Sequence, residues 1–197
     1  MSSPYELGEL TTRTGRRVRL MDLKVEDIVI DDIAGPLAKI CRFGGQIPVF
    51  YSVAQHSVLV AQLIAQVPGL EWYRFPALLH DAAKAYFGDM ISPLKRLPDM
   101  QAYRYAEMRA LRTVYRAFGI SDQYDGDGVI DLADRAAYWI ELRDIRKFEG
   151  IVPPDDLAGT FASSRIDRPW GPEEAEDAFL LTFREYGQAH AALTRGR

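Results

Sequence analysis

The chain has a single cysteine, Cys41, among 197 residues. No internal disulfide can form, which fits a reducing compartment. Basic residues are not gathered into any Lys/Arg block, and the formal net charge is −4. Polymeric nucleic acid draws most of its affinity from phosphate contacts with basic groups, so DNA and RNA are disfavoured as partners. A small phosphorylated molecule held by a metal and a few cations needs no basic surface. Long apolar runs are missing, as is a charged start leading into an apolar signal core. The expectation is a soluble, cytoplasmic protein with no membrane association. There is no Gly-rich phosphate loop of the P-loop or dinucleotide type, and no nucleophile elbow for a Ser/His/Asp hydrolase.

What is present is apolar and aromatic. Hydrophobic residues make up 48%, with ten Tyr, nine Phe and three Trp. That supports one domain with a sizeable core. Residues 1–22 are polar and mixed, with Thr14-Gly15 between β-tolerant residues, and read as an arm or short hairpin. Residues 23–197 read as one all-α domain of about six or seven helices. Asp31 and Asp32 are cap candidates for a helix stopped by Gly44-Gly45. Ser52-Val53-Ala54-Gln55 has the form of a capping box, and the helix it starts is apolar almost all round, hence central. Further helices are expected over residues 71–87, 99–118 and 129–149, and from Pro172 onward, with a long loop over 150–171.

Only three histidines occur, His56, His80 and His190. A lone buried histidine is usually a satisfied core residue. His80 is different, because Asp81 follows it inside Ala77-Leu78-Leu79-His80-Asp81-Ala82-Ala83. An ionised carboxylate is costly to bury without a partner, and a divalent cation offsets that cost. His56 on the preceding helix and Asp134, an acid inside another apolar helix, extend the set. Two imidazoles and two carboxylates suit one divalent ion such as Mn, Co, Fe or Zn. Mg is compatible but favours all-oxygen ligation. Gln123, Asp125, Asp127, Gly128, Ile130 and Asp134 also fall at EF-hand spacing. Gln at the first ligand and Asp at the last fit that loop poorly, so a polar turn capping a helix is the better reading.

The order His56, His80-Asp81, Asp134 resembles the HD-domain phosphohydrolase superfamily. Arg42-Phe43-Gly44-Gly45, Tyr51-Ser52-Val53-Ala54-Gln55-His56-Ser57-Val58, Gly88-Asp89-Met90, Ser92-Pro93-Leu94-Lys95 and Ala133-Asp134-Arg135 are similar to its 5′-deoxynucleotidase-like branch. These blocks cover about residues 30–145. The resemblance implies that His56, His80, Asp81 and Asp134 bind one catalytic metal. It further implies that Arg42 and Lys95 reach the phosphate, that Phe43 packs on the base or sugar, and that Asp89 sits beside the sugar or the attacking water. The implied reaction is hydrolysis of a deoxynucleoside 5′-monophosphate to nucleoside and phosphate. Related helical enzymes instead remove triphosphate from a deoxynucleoside triphosphate. Similar proteins often form homodimers, and Tyr103, Tyr105 and Tyr115 are candidate contact residues.

One position departs from the pattern. Similar proteins carry Glu in a His-Asp-x-x-Glu arrangement, where this chain has Lys84. Lys84 falls on the face of His80 and Asp81, with Asp89 as an acidic neighbour toward which it is expected to lean. A nearby cation and burial are expected to depress its pKa. Lys84 could bind phosphate, donate a proton to the leaving group, or mark a catalytically impaired protein that binds nucleotide or metal.

Overall fold

The computed structural model describes residues 8–121, 124, 128–150, 161 and 163–195. Strands β1 (Glu9–Thr11) and β2 (Arg17–Arg19) pair antiparallel, with Leu10 opposite Val18. The arm is therefore a hairpin, and it is docked. Its turn residue Thr14 donates from both backbone N and Oγ1 to the two oxygens of buried Asp32, each at 2.7 Å. Arg13 lies across Gly35, where a Cβ would come within 2.6 Å of its Nη1, and pairs with Glu176.

Asp31 and Asp32 lie in the first turn of α1 (Asp31–Leu37), and Asp32 serves the hairpin instead of a cap. This helix stops well before Gly44. Beyond it the chain is extended, because Cys41 bridges to Ser52 and Arg42 N donates to Tyr51 O at 2.9 Å. A tight turn over Arg42–Gly45 follows, with Phe43 (φ 58°) and Gly44 (φ 60°) both in left-handed backbone. Glycine accepts that conformation freely; phenylalanine is strained in it.

The central helix α2 (Val53–Ala65) is buried apart from Gln62 and Ala65, as its all-round apolarity requires. Ser52 Oγ accepts from Gln55 N at 3.1 Å, which caps the helix start. The reciprocal half of the expected capping box is absent. Gln55 uses its amide to clamp the later chain instead, donating to Arg168 O and accepting from Trp170 N.

The expected single helix over 71–87 is divided. α3 (Arg74–Leu79) and α4 (Lys84–Phe87) flank residues 80–83, where i→i−3 bonds such as Lys84 N to Asp81 O and Ala82 N to Leu79 O replace the α pattern. The tightening brings residues three apart nearly into line. α5 (Ser92–Lys95), α6 (Gln101–Ala117) and α7 (Val129–Asp144) follow. α7 ends before Glu149, because Asp144 turns its carboxylate to Ile166 N at 2.9 Å and Lys147 adopts φ 52°. The last helix is α8 (Pro172–Arg195).

α3, α7 and α8 all pack on α2, and α1 packs on α4 and α8. The result is a mostly helical bundle with one two-stranded hairpin among the described residues. No helix of the described residues is long and apolar enough to cross a membrane. Two of the three tyrosines expected as contact residues face inward. Tyr115 is buried and donates to Pro76 O, and Tyr103 donates to Gly88 O. Tyr105 is 58% exposed.

Candidate metal centre

Two histidines meet where α2 crosses the end of α3. His56 is fully buried one turn into α2, and His80 caps α3. Their rings lie 5.3 Å apart. Each ring has an oxygen behind it. His56 Nδ1 lies 2.6 Å from Glu141 Oε1, and His80 Nδ1 lies 2.7 Å from Ala77 O. Both oxygens are acceptors, so in each neutral ring the Nδ1 carries the proton and Nε2 keeps its lone pair. Both Nε2 atoms are buried, and among the described residues neither makes a well-aligned hydrogen bond.

Those two Nε2 atoms converge on Asp134 from α7. Its Oδ1 is 3.0 Å from His56 Nε2 and 4.0 Å from His80 Nε2. The three ligand atoms lie within 4.8 Å of one another, a cluster that could hold a metal ion. Asp134 is the open side, with 45% of its side chain exposed. Two buried lone pairs beside a carboxylate oxygen are unfavourable unless a proton or a cation lies among them, and the donor set fits a divalent ion. In the metal-free protein, burial and Arg42 work against a charge on His56, but Glu141 and Asp134 outweigh them and raise its pKa. Burial dominates at His80 and lowers its pKa.

Asp81 stands beside this cluster, its Oδ2 3.7 Å from His56 Nε2 and 3.5 Å from His80 Nε2. The same oxygen accepts from Lys84 Nζ at 2.9 Å. Lys84 Nζ also lies 2.7 Å from Asp89. Lys84 does lean on Asp89, and in the metal-free protein its pKa is not depressed. Burial and Arg42 disfavour the ammonium, and the two carboxylates more than compensate, so the pKa is raised.

Arg42 is more committed than its sequence position suggests. Nε and Nη2 donate to Glu141 Oε2 at 3.2 and 2.9 Å, leaving Nη1 toward Asp81 at 3.8 Å. Phe43 is half-buried, its ring centroid 5.3 Å from the Arg42 guanidinium, 5.2 Å from that of Arg146 and 5.9 Å from the Tyr138 ring. Lys95 pairs with Glu107 of α6, so the residue expected to join Arg42 at the phosphate is engaged on the neighbouring helix. Gln123, Asp125 and Asp127 lie outside the described residues, and Asp134 of that EF-hand spacing turns to His56.

The sequence reading missed Glu141. It is fully buried, and its carboxyl is lowered because Arg42 and then His56 outweigh the effect of burial. A signal existed: Glu141 follows Asp134 by two helical turns, between Ile140 and Leu142.

The fold and the cluster together define a helical-bundle protein with a partly buried His/His/Asp site able to hold a metal ion. No family model matches the chain. It is 41% identical over 181 residues to the uncharacterized protein YfdR of Escherichia coli strain K12, a match covering 91% of this chain and 96% of that one. It is 42% identical over 162 residues to the uncharacterized protein RCAP_rcc00048 of Rhodobacter capsulatus, covering 80% and 76%. The chain belongs to the family of the YfdR protein.

Proposed function

We infer that the protein is a metal-dependent phosphohydrolase of the HD-domain type, acting on a deoxynucleoside 5′-monophosphate. The observation that carries this reading is the pair of buried Nε2 atoms, each with an oxygen behind Nδ1, facing Asp134. Oriented imidazoles of this kind are what a catalytic metal site requires. His56, His80 and Asp134 would hold the ion, with Asp81 beside them. The mixed nitrogen and oxygen donors favour Mn, Co, Fe or Zn over Mg.

A divalent ion in such a site acts as a Lewis acid and lowers the pKa of water. The chain's own groups do the rest. Arg42 Nη1, facing Asp81, presents its N–H toward a phosphoryl oxygen. Lys84 offsets negative charge that grows as water attacks phosphorus and the P–O bond to the nucleoside breaks. Its ammonium also carries a proton close to Asp89 for the departing oxygen. Phe43 and Tyr138 offer aromatic surface near Arg42 for the base or sugar.

A second reading has its own support. Lys84 is clamped between Asp81 and Asp89 where similar enzymes carry Glu, and this favours a protein that binds nucleotide or metal without turnover. Metal analysis of purified protein, then phosphate release from deoxynucleoside mono- and triphosphates with Mn or Co, separates the two. Phosphate from monophosphates supports the enzyme. Stoichiometric metal with no release from any nucleotide supports the binding protein. Absence of metal rejects both.

A further inference from the structure

The metal ligands account for one end of His56 and the anion arm for one end of Arg42. Between them sits a buried acid that neither role uses. Glu141 divides its oxygens: Oε1 faces His56 Nδ1 at 2.6 Å, and Oε2 receives Arg42 Nε and Nη2 at 3.2 and 2.9 Å. It comes from α7, the helix that also carries Asp134 two turns earlier. Burial of a carboxylate to this extent is tolerable only with hydrogen bonds and a countercharge, and here Arg42 supplies the charge at Oε2 while His56 Nδ1 donates to Oε1.

The geometry points to Glu141 as the positioning residue that sets both the metal-ready tautomer of His56 and the aim of Arg42. This rests on the functional reading above. By accepting from Nδ1, Glu141 keeps the neutral ring's lone pair on Nε2, the nitrogen that faces Asp134. By accepting two N–H groups of Arg42, it leaves Nη1 directed at Asp81. One carboxylate thus fixes the spacing between the ion and the phosphate-binding guanidinium.

Glutamine at this position exposes the logic. Its side chain has one oxygen and one NH2. If the oxygen faces Arg42, the NH2 donates to His56 Nδ1, and the proton of the neutral ring moves to Nε2, where it blocks ligation. If the oxygen faces His56, Arg42 loses its acceptor. Aspartate keeps both acceptor oxygens on a shorter arm and should restore part of the effect.

The test uses dialysed full-length wild type, Glu141→Gln and Glu141→Asp. Titration with Mn(II) by calorimetry, and with Co(II) followed in the visible spectrum, reads metal affinity and ligand geometry. Glu141→Gln should bind about 10–100-fold more weakly, as loss of such an orienting partner does elsewhere, with an altered Co(II) spectrum. Glu141→Asp should fall between the two. Wild-type affinity in a folded Glu141→Gln protein would overturn the proposal alone. Should Glu141→Gln fail to fold, NMR of the ring nitrogens in the wild type decides. A protonated His56 Nδ1 at mildly alkaline pH supports the assignment, and a bare Nδ1 rejects it. A wild type that takes up neither ion brings down the functional reading itself, and the role of Glu141 toward a metal with it.

Discussion

The protein buries histidine in two different ways. At the centre of the bundle, His56 and His80 each place an oxygen behind Nδ1 and turn Nε2 toward Asp134. Toward the C-terminal end, His190 of α8 is also buried but sits among Trp72, Phe75 and Tyr124, with ring centroids 6.4, 5.6 and 6.3 Å away. Among the described residues neither of its nitrogens makes a well-aligned hydrogen bond, and burial lowers its pKa against a weaker backbone contact at Gly119. Burial alone therefore does not distinguish a ligand from a core residue. The distinction lies in one nitrogen engaged from behind and the other aimed at a carboxylate.

The largest test of this contrast removes a ligand. His80→Ala and Asp134→Ala should lose bound metal and all phosphate release, whereas His190→Phe should keep a full metal complement; metal analysis after dialysis reads both. Metal lost from His190→Phe and kept by His80→Ala would invert the comparison. Asp81→Ala should also lose activity, and it additionally strips Lys84 of an ion-pair partner.

Lys84→Glu comes next in size. It places a third carboxylate beside Asp81 and Asp89 and removes the cation between them. Breaking a buried pair of this kind costs about 3–5 kcal/mol, so the metal-free variant should melt well below wild type. Added Mn(II) should raise its melting temperature more than it does for wild type. Phosphate release at matched metal occupancy should fall, because the ammonium that offsets charge and carries the proton is lost. A variant faster than wild type would take Lys84 out of the mechanism and favour the binding-protein reading.

Acidification gives a graded effect. Metal ligation needs both imidazoles neutral, so affinity should fall as pH drops. The raised pKa of His56 means that proton competition begins above the ordinary histidine range. His190→Phe should leave that metal profile unchanged.

The smallest effect belongs to His190 itself. Its folded-state pKa is lowered, so the unfolded chain takes up the proton first. Stability should therefore decline as pH falls through the ordinary histidine value, and stop declining below the folded one. His190→Phe should abolish that share of acid sensitivity and cost ~1.5 kcal/mol or less at neutral pH, as similar-volume core exchanges do. Melting curves across pH read the difference.

Much of the site was legible because polar groups interrupt apolar helices. His56, His80-Asp81 and Asp134 each stand among residues such as Val53, Leu79 and Ala133 that have no reason to tolerate them. The helical character followed from periodicity, whereas Thr14-Gly15 left an arm and a hairpin equally open until the docking on Asp32 decided it. What stayed hidden depends on tertiary crossing. Glu141 carries the same local signature as Asp134, yet its meaning depends on Arg42 arriving from the turn before α2. The tightening at residues 80–83 is invisible for another reason: Ala82 and Ala83 are good helix formers, and packing decides between the two bonding patterns. The resemblance points Arg42 at a phosphate, and nothing local names Glu141 as its acid.

The strap between Arg13 and Glu176 also bears on how the chain is made. The hairpin is among the first parts of this sequence to be synthesised, but the acid that holds Arg13 lies 163 residues later, on α8. At ribosomal rates that gap is on the order of 10–30 s. During that interval Thr14 can already seat on Asp32 of α1 and Arg13 can donate to Asp31 O, but Arg13 has no acidic partner until the last helix appears. The contact across Gly35 thus acts as a late clasp, closing the hairpin, α1 and α8 together only once synthesis has passed the metal-site residues on α2, α3 and α7.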